Sequence, residues 1–129
     1  MNDKSRYWID LADYDFETAK IMLSGRRYLY VGFMCHQVIE KALKAYYASV
    51  KDEMPPYTHN LTILAKKSGL YIQMNEDIID VLDILEPLNI EARYPTQKEK
   101  LLLSLNEEMC TKILQDTEDL FLWIKTKLS

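Results

Sequence analysis

The chain has 129 residues, 48% of them apolar and 28% charged, with a formal net charge of −4. This length suits one domain, residues 1–129, that can bury a core without disulfide or metal staples. The apolar share excludes a disordered chain, and the negative balance excludes a protein that coats nucleic acid by bulk electrostatics, leaving room only for a local basic patch.

Three glycines and four prolines are about half the usual share, ~12% combined. A sandwich or barrel would need more turn residues, so a helical protein is expected. Cys35 and Cys110 each sit inside an apolar helical pattern and read as buried thiols, with no C-x-x-C zinc spacing. Met1 to Arg6 leads straight into an amphipathic helix without the apolar run of a signal peptide. No stretch approaches the ~20 apolar residues of a membrane span. A cytoplasmic location and no membrane partner are expected.

From about Asp3 to Ser24, Trp8, Leu11, Ala12, Ala19, Met22 and Leu23 recur at helical spacing, and Gly25 follows where a helix-ending glycine belongs. From about Tyr28 to Lys51, Val31, Cys35, Val38, Ile39, Ala42, Leu43 and Tyr46 keep the same rhythm. That second helix spans roughly 36 Å, and Pro55-Pro56 breaks the chain after it. Thr58-His59-Asn60 opens a short helix with Leu61, Leu64 and Ala65 on its apolar side and Gly69 at its end.

Asn75 is a good N-cap for a fourth helix, with Glu76 and Asp77 in the first turn, where negative charge suits the helix dipole. Ile78, Ile79, Leu82 and Leu85 form its buried stripe, and Pro87 ends or kinks it. After Arg93-Tyr94-Pro95, the run Thr96-Gln97-Lys98-Glu99 fits a capping box. One last helix is expected to run from there to about Lys127, with Leu102, Leu105, Met109, Ile113, Leu120 and Ile124 inward. The expected fold is all-α: an antiparallel up-and-down bundle of four long helices plus one short helix.

Several residues break the apolar pattern. Asp15 falls within the rhythm of the first helix, so it is either solvated at the stripe's edge or buried and orienting a basic group. His36, Glu40 and Lys44 stand four residues apart and therefore lie on one side of the second helix. They form either a surface ladder of polar pairs or a polar groove. In a groove, His36 exchanges protons, Glu40 orients it and Lys44 attracts phosphate. His59 either caps the short helix or meets Glu40 or His36 in the fold. Proline biases Tyr94 away from helical geometry and fixes Arg93 and Tyr94 at a bundle end. There Arg93 either bonds helix C-terminal carbonyls or acts as a bidentate phosphate ligand.

No nucleophile arrangement is visible: there is no Gly-x-Ser-x-Gly, and Cys35 and His36 diverge by ~100° on their helix. There is no P-loop or Gly-rich dinucleotide fingerprint. A helical di-iron bundle uses Glu-x-x-His, but Phe33 and Pro56 occupy the position three before each histidine. Neither a metal nor a cofactor is expected.

The same residues resemble a known family. Ala12, Asp15 and Ala19 match an A-x-x-D-x-x-x-A opening helix, and Gly25 to Tyr28 a G-x-x-Y turn. Cys35 to Ala45, reading C-H-Q-V-I-E-K-A-L-K-A, is similar to an H-Q-A-x-E-K-A-L-K-A helix. Thr58-His59-Asn60-Leu61 resembles a T-H-x-L helix start, Arg93-Tyr94-Pro95 an R-Y-P turn, and Leu120 to Leu128 the closing helix. The family is HEPN (higher eukaryotes and prokaryotes nucleotide-binding), and the match covers nearly the whole chain in order.

The resemblance implies a helical bundle that dimerises, and partnership with a separately encoded minimal nucleotidyltransferase. Some such pairs are toxin–antitoxin modules in which the HEPN chain cuts RNA. Ribonuclease members carry Arg, four to six residues, then His. Here no histidine follows Arg93 anywhere in the chain, so that signature is absent and no catalytic residue is firm.

The leading expectation is a homodimeric partner of a nucleotidyltransferase that binds nucleotide or RNA phosphate. Asp15, His36, Glu40, Lys44, Arg93 and Tyr94 are the candidate binding residues. The alternatives are a metal-independent ribonuclease using His36, His59 and Arg93, and a non-catalytic dimeric interaction module.

Overall fold

The computed structural model describes residues 1–128, which form six α-helices and three short 3-10 turns, with no strand among the described residues. Helix α1 (Asp3–Ser24) begins at Asn2, whose side-chain oxygen accepts the Ser5 N–H at 2.8 Å, and stops at Gly25. Helix α2 (Tyr28–Lys51) follows a tight turn in which Arg26 takes a left-handed φ of 58°. The two helices run antiparallel. Asn2 Nδ2 donates to the Ala48 carbonyl at 2.9 Å and Lys4 reaches the Asp52 carbonyl, so the start of α1 meets the end of α2.

Helix α2 is the centre of the molecule and packs against all five other helices. A helix covered on every side is buried nearly all round. Val31, Cys35, Val38, Ile39, Ala42 and Leu43 are inside as expected, and so are Gly32, His36, Glu40, Lys44 and Tyr47. The face of α1 is rotated from the expected one. Ile9, Ala12, Asp15, Phe16 and Ala19 are buried, while Trp8, Leu11, Met22 and Leu23 flank them half-buried. The rotation follows from a second neighbour: Phe16 packs on Phe121 of the last helix with ring centroids 6.2 Å apart.

Helix α3 (Leu61–Ser68) is capped by Asn60, whose side chain accepts the Ile63 N–H at 2.9 Å, and ends at Gly69 with φ 83°. The left-handed conformation there suits glycine. Helix α4 (Glu76–Leu85) is capped by Asn75 as expected. Beyond it the chain makes two 3-10 turns, Glu86–Leu88 and Ile90–Ala92, with Pro87 in the first. This segment lies close against α2 because Gly32 has no side chain: a Cβ there would come within 3.2 Å of Leu88 Cδ1.

The single last helix expected from the sequence is two: α5 (Pro95–Ser104) and α6 (Glu107–Lys127). Asn106 divides them. Its side chain accepts the Met109 N–H at 2.8 Å, and Glu107 and Glu108 occupy the first turn of α6. This complete N-terminal signature overrides a merely continuous apolar rhythm. The start of α5 is set by Tyr94, whose N–H donates to Gln97 Oε1 at 3.1 Å, and not by a Thr96–Glu99 box. Leu102 and Met109 consequently face solvent, 55% and 46% exposed, whereas Leu105, Ile113, Leu120 and Ile124 are buried.

Cys35 and Cys110 are free and buried. Burial pushes the Cys35 thiol up to about 12 and that of Cys110 up to about 11, so neither is a reactive thiolate. No helix among the described residues is long and apolar enough to cross a membrane.

Candidate functional site

The four-residue spacing on α2 places His36 and Lys44 one turn either side of Glu40. They do not form a surface ladder. His36, Glu40 and Lys44 are 0%, 2% and 8% exposed. Lys44 Nζ donates to Glu40 Oε2 at 3.0 Å and lies 5.2 Å over the Trp8 ring. His36 Nδ1 stands 3.7 Å from Glu40 Oε1. From the chain leading into α3, His59 brings its Nδ1 within 3.1 Å of both Glu40 oxygens. An ionised carboxylate only accepts, so the Nδ1 that His59 turns to Glu40 carries a proton. The side chain of His59 is mostly exposed, and Glu40 orients its ring.

His36 differs in kind. Burial pushes its imidazole down to about 4; Glu40 and the His59 backbone oppose this, while the charges of His59 and Arg93 add to it. It is therefore neutral at pH 7. Its Nε2 is buried without a hydrogen-bond partner among the described residues, and Gln37 Nε2 lies 3.4 Å from its Nδ1.

Asp15 is not solvated at an edge. It is buried and paired with Lys41 across the α1–α2 contact. Among the described residues no hydrogen bond or ion pair links it to His36, Glu40 or Lys44, so it stands outside their cluster. Arg93 does bond helix-end carbonyls: Nε donates to Pro87 O at 3.1 Å and Nη2 to Glu86 O at 3.0 Å. Its Nη1 makes no hydrogen bond among the described residues. Glu86 in turn accepts the Leu61 N–H at 3.0 Å and ties this segment to the start of α3. Tyr94 follows Arg93 with its side chain 77% exposed.

Two openings flank the Glu86–Arg93 segment. One is a groove of about 610 Å³ lined by Pro87, Arg93, Gln97, Lys100, Leu101 and Ser104. The other is a cleft of about 220 Å³ lined by Gln37, His59, Asn89 and Glu91. Sequence reasoning missed Lys100, Gln97, Gln37, Asn89 and Glu91 as site residues. Gln97 and Lys100 were detectable, being one helical turn apart and close behind Arg93. Asn89 and Glu91 lie where no periodicity signals a face.

Among the described residues no group of three or more His, Cys, Asp and Glu side chains is arranged to hold a metal ion. Glu40 is already occupied by Lys44 and His59, and its chemistry is that of a carboxylate orienting an imidazole.

A small helical bundle with a buried His–Glu–Lys ladder at its centre, met by a histidine from a Thr-His-Asn lead-in and flanked by an arginine before Tyr-Pro, defines the class of domain. The chain belongs to the HEPN domain family, whose pattern matches residues 5–127. The fold is shared with the protein TT1696 from Thermus thermophilus, at 18% identity and a TM-score of 0.83, covering 98% of this chain and 100% of that one. It is shared also with ST0689, an archaeal HEPN homologue, at 19% identity and a TM-score of 0.72, covering 99% and 100%. No curated protein sequence matches the chain.

Proposed function

We propose that this HEPN domain binds the phosphate of a nucleotide or RNA at Arg93, acting as a homodimeric partner of a minimal nucleotidyltransferase in a two-component, toxin–antitoxin-like system. The observation that carries the binding half is the state of Arg93. Two backbone carbonyls hold one edge of its guanidinium and leave Nη1 unbonded at the lip of a groove that also offers Lys100, Gln97 and Ser104. A pre-positioned guanidinium with a nearby ammonium suits a phosphate, which charge-assisted bonds hold strongly. Lys44, buried against Glu40 and Trp8, and the enclosed His36 do not line that groove. Family membership supports the partner half.

Calorimetric titration with mononucleotides and short RNAs tests the binding. Arg93→Ala weakens binding about tenfold or more, and Lys100→Ala weakens it further. No binding by the wild-type chain, alone or with a co-purified nucleotidyltransferase, overturns this reading. Native co-purification from the source cell, with mass spectrometry of bound protein, tests the partner.

A second reading has its own observation. Glu40 and His59 form an oriented carboxylate–imidazole pair, with Nε2 of His59 making no hydrogen bond among the described residues and the ring lining a cleft, as a general acid–base requires. Cleavage of RNA by the purified dimer, abolished by His59→Ala, would favour it over simple binding.

A further inference from the structure

Helix α1 has a second apolar face that the bundle does not cover. Ile9, Ala12, Phe16 and Ala19 face the core. On the other side, Tyr7, Leu11, Tyr14, Thr18 and Ile21 recur at alternating steps of four and three residues. At about 100° per residue, this row lies roughly 150° round the helix from the buried one. Tyr7, Tyr14 and Ile21 are 60%, 73% and 67% exposed, with Leu11 and Thr18 half-buried between them. A four-three alternation is the seam of paired helices, because it keeps one line of side chains facing a neighbour. At the start of α1 the row runs into an open groove of about 510 Å³ lined by Asp3, Lys4, Tyr7, Trp8 and Met54. There Tyr7 and Trp8 meet edge to face with ring centroids 5.3 Å apart, and Met54 is exposed.

The charges beside the row select its occupant. Asp3, Asp10 and Glu17 run along one flank at seven-residue spacing, all of them exposed. Glu17 pairs with Lys20, whereas Asp3 and Asp10 make no ion pair among the described residues. Lys4 spends its charge on Asp52. A second copy laid antiparallel sets the acidic row against itself, and one laid parallel sets it against Trp8, Asp15 and Met22, which offer no cation. An anionic surface, whether nucleic acid or lipid, is repelled. We infer that the outer face of α1 docks a basic amphipathic helix of another protein. The apolar stripe of that helix lies on Tyr7, Leu11, Tyr14 and Ile21, and its Lys or Arg residues run along Asp3, Asp10 and Glu17. One large apolar side chain, seated between Tyr7, Trp8 and Met54, anchors it. The seam sets the partner's shape and the acidic row its charge. None of these residues lines the groove at Arg93, so the docking stands apart from the phosphate reading.

Fluorescence anisotropy of labelled synthetic helices titrated with the full chain tests this. One peptide, about three heptads long, carries a leucine seam flanked by lysines; a second has glutamates in place of the lysines; a third scrambles the first. The lysine peptide is expected to bind about tenfold or more tighter than either control. Tyr14→Ser with Ile21→Ser weakens it about tenfold or more. Asp10→Lys with Glu17→Lys reverses the preference between the lysine and glutamate peptides. All these positions are exposed, and circular dichroism verifies that each variant is folded. No binding, equal binding of the lysine and scrambled peptides, or binding that the Tyr14 and Ile21 changes leave intact overturns the proposal. So does a wild-type dimer in sedimentation that Tyr14→Ser with Ile21→Ser separates, since it assigns the face to a second copy.

Discussion

Glu40 holds the imidazole of His59 on both carboxylate oxygens, each 3.1 Å from Nδ1, across 19 positions of sequence. The same carboxylate accepts from Lys44 at 3.0 Å, so one buried anion serves two elements. Removing it strands an ammonium whose side chain is only 10% exposed. Breaking a buried pair by deleting one partner costs about 3–5 kcal/mol, whereas replacing both by apolar groups is often nearly neutral. Glu40→Ala is expected to lose that amount in urea unfolding, and Glu40→Leu with Lys44→Met to recover most of it. A loss below about 1 kcal/mol for Glu40→Ala would show that the carboxylate is not the centre of the cluster.

His36 makes stability depend on pH. Its folded value, about 4, lies below the ordinary 6.5, so between these limits the unfolded chain binds more protons. Its stabilising contribution is present above pH 6.5 and is lost as pH falls toward 4. From pH 7.5 to 5.0 the loss from this residue is about 2 kcal/mol, at ~1.4 kcal/mol per unit of difference. His36→Leu, which also removes the orphaned Nε2, is expected to flatten that part of the profile. Urea unfolding of both proteins at the two pH values measures it, and an unchanged slope would place the titrating group elsewhere.

Leu43 is fully buried on the central helix. Leu43→Ala is expected to destabilise the fold by roughly 2–5 kcal/mol, the usual range for a truncated core leucine. Chemical denaturation reads this directly, and a loss under about 0.5 kcal/mol would contradict the packing of α2.

Asn106 is the hinge between α5 and α6. Asn106→Ala removes the acceptor for the Met109 N–H and is expected to cost about 1 kcal/mol, as N-cap losses do. Asn106→Asp keeps the acceptor and is expected to be near neutral. Equal losses from both would mean that the cap does not divide the helices.

The sequence carries the frame of this fold plainly because α1 and α2 have both an apolar period and a stop signal. Their limits at Ser24 and Lys51 are those of the structure. The Asn106 break was legible too, as an N-cap followed by two glutamates, but the leucine-rich stretch just before it masks it. The burial of Asp15 was legible only as one of two alternatives. Its place in the stripe depends on α1 turning toward Phe121, a contact with a helix 105 positions away. The Glu40 cluster was half legible: spacing on one helix put His36 and Lys44 beside Glu40, while the arrival of His59 needed the path of the α2–α3 connection. Asn89 and Glu91 stand in and between 3-10 turns, where no repeat distinguishes an inward from an outward residue.

None of the ten residues of α5 is buried. Local opening free energy follows buried apolar contact, so the backbone amides of α5 should exchange with deuterium sooner than those of α2, which nothing short of global unfolding releases. One wall of the groove, with Gln97 and Lys100, thus hangs on the least anchored helix, whereas Arg93 is fastened to carbonyls beside the core. A polyanion settling there would slow exchange in α5 alone, and that protection would report its arrival.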